Sequence, residues 1–221
     1  MSAPTSTEQI TEQRSPDRGW LWRFLQIFAA IGVRLIYGLQ VRGKENIPRN
    51  GGVLIVSNHQ SFLDPVLVSV MLDRPFAYLA EAYLFKVKPL AILIRALNAF
   101  PIQQGRGDIG AMKEMIRLLQ AGQVLNVFAE GTRTPDGTLQ PVQGGIALAV
   151  RRAGVPVVPM AIAGAYEAWP RHRKLPRPGK IRIIYGKPIE LHHLKNDQII
   201  AEVERSVGQL FEEATRWREE S

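Results

Sequence analysis

From residue 41 onward, short apolar runs alternate with segments whose apolar residues follow helical spacing. The clearest runs are VLIVS, VLNVF and VVPMAIA. Short runs of continuous apolar character are typical of strands buried on both faces of a sheet. Strands that alternate with helices predict an α/β fold, with one mixed, largely parallel sheet flanked by helices.

Strands are predicted at GGVLIVSN, FAYLA, FPIQ, QVLNVFAE, VPVVPMAIAG and KIRIIYGKPI. Helices are predicted at PVLVSVML, LFKVKPLAILIRALN, DIGAMKEMIRLLQAG and GGIALAVRRAG, and from Asn196 onward. The segment PRHRKLPRPGKIR (170–182) contains six lysines and arginines and no acid, and its prolines predict an exposed loop. This loop is interpreted either as solvated or as a site for anionic headgroups or a phosphorylated acyl donor.

The N-terminal region divides into two predicted parts ahead of the main domain, which spans residues 42–221. Residues 1–18 are polar and predicted to be disordered. Residues 19–41 form a broad apolar surface interrupted by Arg23 and Arg34, which share one face of a helix. Their longest uncharged stretch, 24–33, is too short to span a bilayer. We therefore predict an amphipathic helix that lies in the membrane interface, and packing against the protein's own core is the alternative.

The composition narrows the possible partners and chemistry. A formal net charge of +8 favours an anionic partner, which could be nucleic acid, a membrane surface or a phosphorylated substrate. The absence of cysteine excludes disulfides, thiolate metal sites and a cysteine nucleophile. Four histidines without an HExxH pattern predict no metal centre.

The stretch QQGRGDIG fits the dinucleotide-binding pattern G-x-G-x-x-G through Gly105, Gly107 and Gly110. Glu130 lies further along, where that pattern places an acid for the ribose. The pattern requires a hydrophobic strand directly before the first glycine, but FPIQQ contains a proline and two glutamines. The sequence therefore disfavours a nicotinamide-dependent oxidoreductase.

The segment NHQSFLD (58–64) follows the predicted strand VLIVS and contains a histidine and an aspartate. Two residues that are five positions apart on a helix point about 140° away from each other around its axis. One continuous helix would therefore not place His59 and Asp64 on one face. They can meet if residues 59–63 form a turn and a helix starts near Pro65. The carboxylate would then fix the imidazole tautomer and leave the other nitrogen as a general base. Asp64 as a simple helix N-cap is the alternative.

The segment FAEGTRTPDG follows another predicted strand and contains the second candidate site, formed by Glu130, Gly131, Thr132 and Arg133. Ligands of open α/β sheets commonly bind at the carboxyl ends of the strands. The planar guanidinium of Arg133 suits phosphate oxygens. The alternative is a charged loop in which Glu130 and Arg133 pair only with neighbours.

In this order and spacing, NHxSxxD (58–64), EGTR (130–133) and VPVVP (155–159) resemble the motifs of the glycerolipid acyltransferases, the 1-acylglycerol-3-phosphate acyltransferases. The resemblance covers about residues 40–190. It implies a membrane-associated O-acyltransferase of phospholipid biosynthesis, peripheral or monotopic on the cytoplasmic face of the cell membrane. The implied donor is acyl-CoA or acyl carrier protein and the acceptor a lysophospholipid, chiefly 1-acylglycerol-3-phosphate, which yields phosphatidic acid. No cofactor, metal or nucleic acid is expected.

The resemblance also implies residue roles. His59, held by Asp64, would deprotonate the acceptor hydroxyl, and Arg133 would hold the acceptor phosphate. Gly131 and Thr132 would shape that pocket, while Glu130 would organise the loop rather than react.

The segment NAFPIQQGRGD resembles the family's second motif but departs from it at Gln104, where the family has a phosphate-binding arginine. Arg106, two residues further, is expected to substitute. Gln143 stands where a lysine is common. The acceptor headgroup therefore stays open between 1-acylglycerol-3-phosphate and another lysolipid, such as a lyso-aminolipid.

Two other classes compete with acyl transfer. A serine hydrolase or thioesterase would use Ser57 or Ser61 beside His59, but the sequence has no G-x-S-x-G. A basic nucleic-acid-binding protein would explain the charge, but no recognisable nucleic-acid-reading motif is present.

Overall fold

The computed structural model describes residues 20–71, 74, 76–81, 99–102 and 109–221. Its strands are β1 (Gln40–Arg42), β2 (Val53–Ser57), β3 (Phe76–Glu81), β4 (Ala99–Ile102), β5 (Val124–Phe128), β6 (Val157–Ala163) and β7 (Arg182–Tyr185). Its helices are α1 (Trp20–Tyr37), α2 (Asp64–Met71), α3 (Ile109–Gln120), α4 (Gly145–Ala153), α5 (Ala165–Ala168) and α6 (Asn196–Glu219).

The strands form one seven-stranded sheet in the order β1-β7-β6-β2-β5-β3-β4. Neighbouring strands are parallel except β6 and β7, which are antiparallel. All five residues of β2 and all seven of β6 are buried, as expected for central strands that are covered on both faces. The predicted fold class, a mixed and largely parallel sheet flanked by helices, is confirmed.

Each face of the sheet carries its own apolar core. Alternate residues of β2 divide between the two: Ile55 faces the cluster that includes Leu67 of α2, and Leu54 faces the cluster that includes Leu119 of α3. Helices α1, α2 and α5 therefore cover one face, and α3, α4 and α6 cover the other.

Most predicted elements appear at the expected positions. In the basic segment 170–182, residues 171–180 form the predicted exposed loop, whereas Pro170 and residues 181–182 are buried. The predicted helix LFKVKPLAILIRALN, the glycines Gly105 and Gly107, and residues 1–18 lie outside the described residues. The prediction of one helix over 19–41 is wrong at its end. Gly38 adopts a φ of 46°, which ends α1 at Tyr37, and Gln40–Arg42 then pairs with β7 as an unpredicted edge strand.

Helix α1 has two different apolar faces. Ala30 and Val33 pack against the core on the α2 side of the sheet, and Tyr37 is buried there. Large apolar side chains on the rest of the helix surface are exposed, and they are Ile27, Phe28, Ile31, Leu35 and Ile36. Within the described ranges, no helix combines the length and apolar character that crossing a bilayer requires. Core packing therefore holds for one face of α1, and binding of the other face to the membrane interface stays a prediction.

Candidate active site

His59 and Asp64 are in direct contact at the carboxyl end of β2. The His59 Nδ1 and Asp64 Oδ2 atoms are 2.7 Å apart, and the Asp64 side chain is fully buried. An ionised carboxylate only accepts hydrogen bonds, so Nδ1 carries the hydrogen and Nε2 keeps its lone pair in the neutral ring. The His59 ring stacks on Phe128 at a centroid distance of 3.9 Å, which fixes its plane. The imidazole is therefore oriented by two contacts and presents Nε2 as a base.

The backbone fold of residues 59–63 brings the pair together. Residues 62 and 63 form a turn, and α2 begins at Asp64, immediately before Pro65. Pro65 lacks a backbone N–H, which costs nothing in the first helical turn. The Asp64 carboxylate also accepts hydrogen bonds from the backbone N–H groups of Gln60 at 2.6 Å and Ser61 at 2.7 Å. Asp64 thus closes the turn and orients His59 through the same oxygen.

The polar neighbours of His59 bind the turn to the rest of the domain. The Asn58 side chain donates to the Ile162 carbonyl at 2.9 Å and accepts from the Ile162 N–H at 2.8 Å, which joins the end of β2 to β6. Gln60 Nε2 donates to the Gly137 carbonyl at 3.1 Å. Ser61 Oγ donates to the Trp169 carbonyl at 2.8 Å. These side chains hold the loop rigid rather than reach toward a substrate.

Glu130 lies two residues beyond β5 and contacts the same turn. Its side chain is 4% exposed, and Oε1 accepts a hydrogen bond from the His59 backbone N–H at 3.2 Å. Burial, with a smaller contribution from the Asp64 carboxylate, raises the pKa of Glu130 to about 8, although hydrogen bonds from the backbone N–H groups of His59 and Gln140 oppose the shift. Glu130 is therefore mostly protonated at neutral pH and supports the position of His59 without adding a second charge.

Arg133 lies over an aromatic ring that the sequence did not single out. Its guanidinium carbon is 3.4 Å from the centroid of the Phe62 ring, and Phe62 in turn contacts Trp169 at 5.4 Å between centroids. Phe62 is 41% exposed although it is large and apolar. Such a stack engages the face of the guanidinium, whereas its N–H groups lie at the edge of the plane. The stack thus presents Arg133 at the rim of the site.

The other predicted site residues have different positions. Gly131 adopts a φ of 67°, in which a side chain would be strained, and a Cβ there would lie 3.0 Å from Gln143 Cγ. Thr132 is exposed on the same loop. The Gln143 side chain donates to the Glu130 carbonyl at 3.4 Å, so it borders this loop. Arg106 lies outside the described residues.

A cavity of about 250 Å³ lies behind the EGTR loop. Glu130 and Asn58 close it on the active-site side, and Val142, Glu204 and Val207 line the side toward α6. The lining is mostly apolar, which accounts for the raised pKa of Glu130 because few polar groups solvate its carboxyl.

Comparisons with known proteins agree with this architecture. Residues 38–163 match the family model described as Acyltransferase. The chain is 27% identical over 180 residues to 1-acyl-sn-glycerol-3-phosphate acyltransferase of Bacillus subtilis, covering 80% of this chain and 87% of that protein. It is 30% identical over 202 residues to the Pseudomonas aeruginosa protein of the same name, with coverages of 88% and 73%.

Among solved structures, the chain is similar to the 1-acyl-sn-glycerophosphate (LPA) acyltransferase PlsC of Thermotoga maritima. The TM-score is 0.76 at 27% identity, covering 94% of this chain and 86% of that one. Some relatives are longer: the chain spans 48% and 52% of two chloroplastic ones.

The buried Glu130 predicts a pH-dependent stability. Its pKa rises from 4.5 to about 8 on folding, so the folded protein binds a proton that the unfolded chain releases. The contribution of this bound proton to the free energy of unfolding is complete below pH 4.5 and is lost as the pH rises to about 8. The neutral variant Glu130→Gln should not lose this part of its unfolding free energy as the pH rises. Relative to the parent, its unfolding free energy should gain about 1.4 kcal/mol per pH unit within this window.

Urea unfolding at a series of pH values measures this difference. Glu213→Gln, which neutralises an exposed carboxylate on α6, is the matched control and should run parallel to the parent protein. Parallel curves for Glu130→Gln would show that the Glu130 carboxyl is not held protonated by the fold.

Proposed function

We propose, from the premise that this chain belongs to the acyltransferase family and is an O-acyltransferase, that its acceptor is a lysophospholipid. The first candidate is 1-acylglycerol-3-phosphate, which acylation converts to phosphatidic acid. The names of the relatives from three bacteria support this acceptor. The observation that carries the proposal is the buried His59–Asp64 contact of 2.7 Å beside the arginine of the EGTR loop.

His59 is the general base of the proposed reaction. Nε2 removes the proton from the free hydroxyl of the acceptor as its oxygen attacks the thioester carbonyl of acyl-CoA or acyl carrier protein. The new C–O bond forms a tetrahedral intermediate, and its collapse breaks the C–S bond. The departing sulfur takes the proton from the imidazolium, which restores His59. Asp64 orients the ring throughout and stabilises its charged form.

The acceptor is positioned from the other side of the site. Arg133 binds the phosphate through its edge N–H groups, which the Phe62 ring holds in place. Gly131 leaves room for the headgroup, and Thr132 borders it. Proximity of hydroxyl and thioester supplies much of the rate, because no covalent acyl-enzyme is formed.

The alternative acceptor is a lysolipid with another headgroup, such as a lyso-aminolipid. The neutral Gln143 beside the Glu130 carbonyl is the observation that favours it, because no cation is added to the loop at that position. Hydrolysis through a serine is less compatible with the site. Ser61 Oγ is engaged with the Trp169 carbonyl, and Ser57 is fully buried within β2.

The apolar surface of α1 supports action at a membrane, on the cytoplasmic face, by a peripheral or monotopic protein. Five large apolar side chains of α1 are exposed, and Leu35 is 80% exposed. Burying such side chains in the lipid interface is favourable. The net charge of +8 would add attraction to the anionic lipids of the cytoplasmic leaflet.

Loss of the base should abolish acyl transfer. We expect His59→Ala to lower kcat by about 10³-fold without unfolding the protein, because general-base catalysis supplies that order of acceleration. Product formation is followed by mass spectrometry with one labelled acyl-CoA and a panel of lysophosphatidic acid, other lysophospholipids and lyso-aminolipids.

His193→Ala, at an exposed histidine away from the site, is the control and should retain full activity. A folded His59→Ala protein with parent rates would refute the mechanism. Thiol release that does not depend on the acceptor would instead identify a thioesterase.

Arg133→Ala should raise KM for a phosphate-bearing acceptor about tenfold or more, with a small change in kcat, because one charge-assisted hydrogen bond is lost. Phe62→Leu should give a smaller increase in the same direction. Neither change should affect a monoacylglycerol acceptor, which lacks the phosphate. Arg117→Ala, on the surface of α3, is the control, and an equal effect on both acceptors would contradict the phosphate role.

Membrane binding should depend on the exposed face of α1. Ile31→Ser with Leu35→Ser should weaken binding to neutral phosphatidylcholine vesicles at least tenfold in a sedimentation assay, because two apolar side chains no longer enter the lipid. Leu148→Ser replaces a leucine on α4 that is 43% exposed, close to the 46% of Ile31, on the opposite face of the sheet, and should have no effect. Equal losses in both proteins would disprove a role for α1.

A further inference from the structure

Arginines from three elements converge on Trp217, near the end of α6. The Arg42 guanidinium carbon, from β1, is 3.7 Å from the centroid of the Trp217 ring. The corresponding carbon of Arg182, from β7, is 5.1 Å from it. Arg218 follows Trp217 in sequence, and its charge acts on Arg182. None of these residues belongs to the motifs that form the acyl-transfer site.

The cluster has an excess of positive charge. Arg218 forms an ion pair with Glu167 at 2.5 Å, but within the ranges that the structure describes neither Arg42 nor Arg182 has a carboxylate partner. Arg182 is only 2% exposed. It donates through Nη1 to the carbonyls of Gly38 at 2.8 Å and Ile181 at 2.9 Å, while its buried Nε has no acceptor.

Holding these guanidinium groups together is costly without an anion. Burial penalises the charge of Arg182, and Arg42 and Arg218 repel it, so its pKa is lowered from the ordinary value. Stacking on Trp217 offsets part of this cost, since a tryptophan face attracts cations. A phosphate group would offset more, because guanidinium donors match its oxygens and its charge.

The position of the cluster indicates where that phosphate comes from. Arg182 contacts the carbonyl of Gly38, directly after the last turn of α1. In that turn Leu35 and Ile36 are 80% and 52% exposed. Apolar side chains next to unpaired arginines are the combination that binds the surface of an anionic bilayer.

We propose that Arg42, Arg182 and Arg218 around Trp217 form a second anion site, which binds the phosphate of an anionic phospholipid. The site lies on the α6 side of the sheet, whereas Asp64 and α2 lie on the other side. Its three arginines are different residues from His59, Asp64 and Arg133, and the proposal does not depend on which acceptor is acylated.

Vesicle binding by the full chain tests the site. Arg42 is exposed on an edge strand, so Arg42→Gln is expected to fold. Arg216→Gln removes the same charge from an exposed position one residue before Trp217 and is the matched control. On phosphatidylcholine vesicles mixed with phosphatidylglycerol, Arg42→Gln should weaken binding about tenfold relative to Arg216→Gln. Arg42→Lys should recover only part of the loss, since lysine lacks the planar fork.

A second arm titrates the same proteins with coenzyme A, a soluble phosphate ester, by calorimetry. Weaker coenzyme A binding by Arg42→Gln, with vesicle binding equal to that of Arg216→Gln, would keep the anion site but assign it to a soluble phosphate. If Arg42→Gln and Arg216→Gln behave alike in both arms, the cluster is not a binding site and the proposal is overturned.

Discussion

The active site depends on one buried oxygen atom, Oδ2 of Asp64. It accepts hydrogen bonds from His59 Nδ1 and from the backbone N–H groups of Gln60 and Ser61, all at 2.6–2.7 Å. The Asp64 side chain is fully buried, so the desolvation of its charge is costly unless donors surround it. The backbone donors, at the amino end of α2, supply that compensation independently of His59. The carboxylate can therefore orient the imidazole without being needed by the turn as its sole hydrogen-bond partner.

The second carboxyl group near that oxygen, which belongs to Glu130, adds little negative charge. Glu130 accepts a hydrogen bond from the His59 backbone, and its raised pKa of about 8 keeps it mostly protonated at neutral pH. In the proposed mechanism, a second ionised carboxylate there would stabilise the imidazolium too strongly and slow proton return to the sulfur. The backbone N–H of Thr134 donates to the His59 carbonyl at 2.8 Å, so the two motif loops are also joined directly. The NHxSxxD and EGTR segments therefore act as one rigid unit.

The sequence predicts some of these features because they are local. The order of helices and strands follows from apolar runs, and the proline after Asp64 predicts where α2 starts, hence the contact with His59. The stack of Arg133 on Phe62 could not be predicted, since no periodicity relates two loops that are far apart in the chain. Strand β1 is three residues long and lacks an apolar run, so its pairing with β7, and the arginine cluster, become visible only in the fold. The roles assigned to the site residues stay predictions.

One reversal of strand direction explains why the candidate active site and the arginine Arg182 lie at the same end of the strands. β2 and β5 are parallel, so the residues that follow them, including His59 and Glu130, meet at their carboxyl ends. β7 is antiparallel to β6. Arg182, the first residue of β7, therefore lies opposite Ala163, the last residue of β6, at the same end of the strands. β1 is parallel to β7, so the end of α1, which precedes β1, lies at that end of the strands as well. The parallel register of β1 and β7 pairs Gln40 with Arg182, so the buried arginine lies within hydrogen-bond distance of the Gly38 carbonyl at the end of α1.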